Sequence, residues 1–317
     1  MTHILITGAA GNIGSALAER LLTYPEYQVV AVDNFLTGDK NKLPSVGQSN
    51  FTFFEADVNQ YEEISKIMLS YPFDFVFHYA AMVGVQRTLE NPVQVLRDIE
   101  GIKNILDLSK DTQVKRVFYS SSSEVYGEPV EFPQNEHTTP LNSRLPYAIV
   151  KNVGEAFLRS YHKEYHLPYT IFRFFNTYGP RQSEDFVVTR FLKQAMMGEP
   201  LTIYGTGSQT RTFCYIDDNI DTALACLRDN LCVNDVMNVG NDEETTVKDL
   251  ALKVIEITGS SSKIDFLPAL TEGDMTRRKP DNTKMKIILK KPLISLEEGL
   301  KKTIEKRMFL PNHIASH

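Results

Sequence analysis

The chain has 317 residues, 42% of them hydrophobic and 23% charged, with a formal net charge of -6 and a mean hydropathy of -0.24. That balance belongs to a soluble globular protein and excludes disordered and fibrous builds. Net negative charge gives no basic footprint for nucleic acid and would repel an acidic membrane surface, so an anionic ligand must be caught by local arginines or backbone amides.

The first apolar run, "HILIT" at 3–7, leads into Gly8, Gly11 and Gly14 and then the periodic segment "GSALAERLL", a strand–turn–helix order. Glycines there permit a tight turn and close approach of backbone to a pyrophosphate, while the helix N-terminus offers N–H groups to the phosphates. "QVVAVD" (28–33) ends in Asp33, 19 residues past Gly14. Its carboxylate suits an adenine-ribose diol and repels a 2′-phosphate, and Asn34, Phe35 and Leu36 add no cation. NAD is therefore expected over NADP.

"FTFFEAD" (51–57), "FDFVFHYA" (73–80), "RVFYSSS" (116–122) and "YTIFRFF" (169–175) also read as buried strands. Between them, "NPVQVLRDIEGIKNILDLSK" repeats apolar residues at Val95, Ile99, Ile102, Ile105 and Leu106, a helical stripe. Strand–helix alternation calls for a doubly wound parallel sheet covered on both faces. After about residue 180 the rhythm changes. "VVTRFLKQAMMGEP" predicts a helix, "TVKDLALKVIEITG" opens at Thr246 as N-cap and stops at Gly259, and "SLEEGLKKTIEKRM" carries a capping box of Ser295 with Glu298. The tail "FLPNHIASH" predicts little structure. The expected division is 1–180, a dinucleotide-binding Rossmann-type domain, and 181–317, mainly a smaller substrate lobe with some segments returning to the first domain.

The three cysteines, Cys214, Cys226 and Cys232, are too few and irregular for a disulfide framework or zinc site. The seven histidines form no metal-binding pattern, so no metal is expected. With no leader-like N-terminus and no apolar run of membrane-spanning length, the expected location is cytoplasmic.

Four serines, 120 to 123, close the "RVFYSSSS" run, followed by Glu124 and Tyr126; further on, Tyr147 and Lys151 stand four apart on one face of a predicted helix. A phenol normally ionises near ~10, and a neighbouring ammonium lowers that. The G-x-x-G-x-x-G spacing with Tyr147-x-x-x-Lys151 resembles the extended short-chain dehydrogenase/reductase family, nearly end to end. The likeness includes "DNFLTG", "ADV" at Asp57–Val58, "HYAA" ending in Ala80 and Ala81, "SSSSEVYGEP", "FFNTYGPRQ", "GSQTRTFCYIDD" and "RRKPDNTK". Within it, the match is to the branch that modifies nucleotide-activated sugars.

The resemblance implies a Rossmann-type sheet with a small substrate lobe, NAD as cofactor, and a homodimer through helices at about 92–109 and 146–164. It implies cofactor contacts from Gly8, Gly11, Asn12, Ile13, Gly14, Asp33, Asn34, Asp57, Val58, Ala80, Ala81, Tyr147 and Lys151. Ser122, four before Tyr126, would orient a reacting hydroxyl towards Tyr147; Ser120, Ser121 and Ser123 would be structural or supporting. Asn176 would reach the sugar or diphosphate, Arg211 and Arg278 the diphosphate, and Tyr204 the nucleotide base, most commonly uridine. The implied chemistry is oxidation at C4 to a 4-keto sugar and return of hydride, with C4 epimerisation the leading outcome. UDP-glucuronate decarboxylation or 4,6-dehydration stands as the alternative, and a non-catalytic NAD-binding regulator as a distant one. Glu124 is either chemical or a loop anchor: a dehydratase would carry Asp-Glu where this chain has Ser123-Glu124, whereas decarboxylases share Ser-Glu and the arginine of "RRKPD". Asp98 stands where the family generally has asparagine; a packing or hydrogen-bonding adjustment is expected there.

Overall fold

The computed structural model describes residues 1–45, 47–269 and 277–306. In the first half the order is β1 (Thr2–Thr7), α1 (Asn12–Leu21), β2 (Tyr27–Asp33), β3 (Phe51–Glu55), α2 (Tyr61–Ser70), β4 (Phe75–His78), α3 (Val85–Glu90), α4 (Pro92–Leu96), α5 (Asp98–Asp111), β5 (Arg116–Ser122), α6 (Pro146–Tyr165) and β6 (Tyr169–Phe174). Then come β7 (Thr177–Tyr178), α7 (Val187–Met196), β8 (Leu201–Tyr204), β9 (Thr210–Thr212), β10 (Cys214–Tyr215), α8 (Ile216–Arg228), β11 (Asp235–Val239), β12 (Glu244–Thr246), α9 (Val247–Thr258), β13 (Ile264–Leu267), α10 (Thr283–Leu289) and α11 (Leu296–Lys306).

Seven strands form one sheet in the order β11-β6-β5-β4-β1-β2-β3, every neighbouring pair parallel. Apolar side chains from both faces are buried, which is why these strands read as continuous hydrophobic runs and not as alternations. The reversal of strand order between β1 and β4 opens a crevice at the carboxyl ends of the strands, where such sheets bind ligands. The strand at 235–239 returns from the second half of the chain to the sheet edge beside β6.

Three expected strands are shorter than their apolar runs, the one at 169–175 by Phe175 alone. Ala56 and Asp57 leave β3, and Tyr79 and Ala80 leave β4, because the chain turns there into the crevice. The helix expected over 92–109 divides at Arg97 into α4 and α5, although Val95, Ile102, Ile105 and Leu106 keep the buried stripe. In the C-terminal half, Thr246 caps α9 by accepting from the Asp249 N–H at 2.9 Å, and Gly259 ends it in the left-handed region. Ser295 accepts the Glu298 N–H at 3.2 Å before α11. The tail from residue 307 lies outside the described residues. Among those described, no helix is long and apolar enough to cross a membrane, and no cluster of potential metal ligands occurs.

Helix α6 carries Tyr147 and Lys151 and packs directly on β5. They meet at Gly154, where a methyl would overlap the Tyr119 ring. A buried network ties the same two elements. Glu155 accepts from Ser121 Oγ at 2.6 Å and from Arg173 Nε and Nη2 at 2.8 and 2.7 Å. Arg173 also donates to the Tyr126 hydroxyl at 2.8 Å, which donates to Asn238 Oδ1 at 2.7 Å. Burial raises the Glu155 carboxyl, but the paired Arg173 guanidinium outweighs it and holds the carboxyl below its usual range.

Candidate active site

A cavity of about 460 Å³ runs through the crevice, lined by residues of both halves of the chain. At one part of its wall, Gly8 has φ +69°, and a Cβ there would come within 2.6 Å of the Tyr79–Ala80 peptide. Only glycine fits. Gly11 is the N-cap of α1 and no side chain caps that helix, which leaves first-turn N–H groups turned to the cavity at Asn12, Ile13 and Gly14. Asn12 Oδ1 is buried with no hydrogen-bond partner among the described residues. Asp33, 8% exposed, takes the Ala10 and Phe35 N–H groups at 2.8 Å each. Burial raises its carboxyl, those two N–H bonds and the charge of Lys42 opposing. These features fit a dinucleotide: an open helix N-terminus for the pyrophosphate, a carboxylate for a ribose diol, and an acceptor awaiting a donor. Asn34, Asp57, Val58, Ala80 and Ala81 line the same cavity. Lys42, a cation near Asp33, was invisible at the 34–36 positions read in sequence.

The four serines have four different partners. Ser120 Oγ accepts from Lys151 Nζ at 3.2 Å, Ser121 binds Glu155, and the Ser122 hydroxyl lies near enough to the Tyr147 phenol to oppose its rise. Ser123 Oγ lies 3.5 Å from Arg278 Nη1. Ser122 also receives the Glu124 N–H at 3.2 Å, which fixes the turn after β5. Lys151 is 3% exposed, with Nζ 5.7 Å from the centroid of the Tyr147 ring. Ser122, Tyr147 and Lys151 thus share one wall of the cavity.

The electrostatics differ from the sequence expectation at one point. Lys151 was expected to lower the phenol; instead Tyr147 is raised well above 10, by burial first and then by the Glu124 carboxylate, with Asp98 adding and Ser122 and Arg278 opposing. Two carboxylates outweigh the one guanidinium that faces the ring. Burial pulls Lys151 down to about 8, with the charge of Asp98 opposing. Asp98 accepts the Met82 N–H at 2.7 Å, so the hydrogen-bonding adjustment expected there is accompanied by a charge that reaches Lys151. His78, between Thr7 Oγ at 2.8 Å and the Lys151 side, is pushed down to about 3 by burial and is neutral.

On the remaining wall, Asn176 donates to the Thr212 carbonyl at 3.0 Å, and Arg211 Nη1 to the Thr210 carbonyl at 2.8 Å. Tyr204 faces the cavity from β8. Arg278 lies against the serine turn: its Nη2 donates to Glu124 Oε1 at 2.8 Å, with side-chain exposures of 8% and 16%. Sequence reading did not anticipate this pairing, nor Arg190, which also lines the cavity.

Comparison with known proteins bears on this arrangement. The chain is 36% identical to UDP-glucuronic acid decarboxylase 1 of Danio rerio over 314 residues, 96% of this chain and 72% of that protein. A UDP-glucose 4-epimerase from Thermotoga maritima, solved with UDP-glucose, superposes with a TM-score of 0.90 at 34% identity, covering 96% of this chain and 98% of that one. A UDP-glucuronic acid 4-epimerase from Bacillus cereus, solved with UDP-glucuronic acid and NAD, does so with a TM-score of 0.86 at 32% identity, covering 96% and 98%. Residues 4–240 match the NAD dependent epimerase/dehydratase family. With a glycine loop, the buried Asp33 carboxylate and a Ser–Tyr–Lys wall set around one crevice of a seven-stranded parallel sheet, the chain belongs to that family of NAD-dependent enzymes.

Proposed function

We propose that this enzyme acts on a UDP-linked uronic acid, oxidises it at C4, and releases its carboxyl group as carbon dioxide before the hydride returns. The observation that carries the reading is the Glu124–Arg278 ion pair beside Tyr147. Oxidation and reduction at C4 need only Ser122, Tyr147 and Lys151. Burying a further ion pair costs desolvation energy, which a purely structural role at a cavity wall does not repay. The likeness to UDP-glucuronic acid decarboxylases supports the same reading.

Bound NAD supplies a hydride acceptor and a positive charge. Tyr147, with the Ser122 hydroxyl beside it, takes the proton of the C4 hydroxyl, and the positive charge that bound NAD brings beside the ring favours the phenolate, with the Lys151 ammonium added to it. The resulting 4-keto uronate is a β-keto acid. Arg278, held in direction by Glu124, pairs with its carboxylate and sets the C5–C6 bond across the plane of the C4 carbonyl. When that bond breaks, its electrons pass to the C4 oxygen, where Ser122 and the protonated Tyr147 donate hydrogen bonds to the developing charge. A proton from water adds at C5 and restores the ketone, and the proton held by Tyr147 goes back to the C4 oxygen as the hydride returns.

The test is to incubate the NAD-loaded protein with UDP-glucuronic acid and follow carbon dioxide and product mass. Glu124→Gln should cut carbon dioxide release about 100-fold or more while UDP-sugar binding persists. Unchanged mass with inverted C4 would instead support the second reading, C4 epimerisation, which the likeness to 4-epimerases favours. Two copies are also proposed to pair through α4 to α6, where Val93, Leu96 and Ile149 are exposed; a monomer in analytical ultracentrifugation would oppose this.

A further inference from the structure

Among the described residues, four cationic side chains line the cavity: Lys151, Arg190, Arg211 and Arg278. Three have hydrogen-bond acceptors in the protein, namely Ser120 Oγ, the Thr210 carbonyl and Glu124. Arg190 differs. Its guanidinium carbon lies 5.6 Å from the Tyr204 ring centroid and 5.7 Å from that of Phe191. Its Nε is shut from solvent with no partner, and no hydrogen bond or ion pair to it occurs among the described residues. The acidic residues nearest in sequence are taken: Glu184 by Lys193, and Asp185 by Arg87 at 3.0 Å. Burial lowers its proton affinity, yet a guanidinium stays charged. A half-buried cation stacked on two rings, facing a cavity with donors to spare, lacks an anion.

We infer that Arg190 binds a phosphate oxygen of the substrate's diphosphate, held in direction by Tyr204 and Phe191. The inference rests on the nucleotide-sugar reading above and adds a division of labour to it. A UDP-uronate brings a diphosphate and a carboxylate. Arg190 and Arg211 take the first, which leaves Arg278, already turned towards Glu124 and the serine turn, to the second. A base carbonyl could also accept from Arg190, but being neutral it would compensate less of a desolvated charge.

The experiment is calorimetric titration of the NAD-loaded protein with UDP and with uridine, for wild type, Arg190→Gln and Arg190→Lys. Arg190→Gln should weaken UDP about tenfold to a hundredfold and leave uridine unchanged, with Arg190→Lys recovering part of the loss. Added salt should weaken UDP binding more in wild type than in Arg190→Gln. Wild-type UDP affinity in the Gln variant overturns the assignment. So does an equal loss for UDP and uridine, which would mean base reading or mere support of Tyr204. Should the Gln variant not fold, wild type alone still decides against the inference if UDP and uridine bind equally well. Because binding is read without turnover, failure to release carbon dioxide would remove the decarboxylase reading and leave this result standing.

Discussion

Replacing Lys151 by Met should make the protein more stable and inactive. Burial takes the Lys151 ammonium from 10.5 down to about 8. At ~1.4 kcal/mol per tenfold, folding bears about 3 kcal/mol for that charge at neutral pH. Methionine has similar length and no charge; loss of the bond to Ser120 returns about 1 kcal/mol, leaving a net gain of about 2 kcal/mol at pH 7. The sign also predicts a pH dependence. Between about 8 and 10.5 the unfolded chain binds a proton that the folded chain has released, so wild-type stability rises with pH across that window. The gap between the two proteins should therefore shrink from pH 8, pass through zero, and leave wild type ahead by about 1 kcal/mol above 10.5. Urea unfolding of both proteins at pH 7, 9 and 10.5, without added dinucleotide, measures it, other titrations cancelling in the difference. A Met variant no more stable than wild type at pH 7, or a gap indifferent to pH, would refute the argument.

Tyr147→Phe should retain bound NAD, read by absorbance after gel filtration, and lose at least about 100-fold in turnover; full activity would remove the phenol from the mechanism. Asp33→Ala should loosen NAD and narrow the preference over NADP, because the charge of Lys42 then meets a 2′-phosphate unopposed by the carboxylate. An unchanged ratio of the two dissociation constants would refute the ribose contact. Glu155→Gln leaves Arg173 charged and buried and should cost about 3 to 5 kcal/mol in urea unfolding, with wild-type stability the contrary result. In wild type that contribution is present above the ordinary carboxylate range and fades as pH falls through the depressed Glu155 value.

The central strands were legible because both of their faces are buried, so composition alone marks them; β5 falls on the run read for it. Runs at 51–57 and 73–80 overshot because residues that line a crevice are as apolar as those in the ladder. β11 escaped notice, since its five residues include Asn238, a polar side chain buried for its bonds to Tyr126 and the Gln134 carbonyl. In the site, helical spacing puts Tyr147 and Lys151 on one face, but such a pair arises by chance in a chain of this length, and it was the family resemblance together with Ser122 that singled them out. The pair Glu124 and Arg278, separated by 154 residues, has no local signature, and neither does the meeting of Arg190 with Tyr204. Long-range contacts of this kind arise from the closing of the C-terminal segments over the sheet, which residue patterns along the chain do not record.

The seating of Tyr147 and Lys151 beside Ser122 depends on one small residue. Because residue 154 lacks a side chain, the helix bearing Tyr147 and Lys151 can lie directly on the aromatic ring of Tyr119, three residues before Ser122. One added methyl would act as a shim and lift the helix from the strand. It would widen the gap between phenol and hydroxyl while altering neither, so on the proposed mechanism a variant with Ser122, Tyr147 and Lys151 all intact would still be idle.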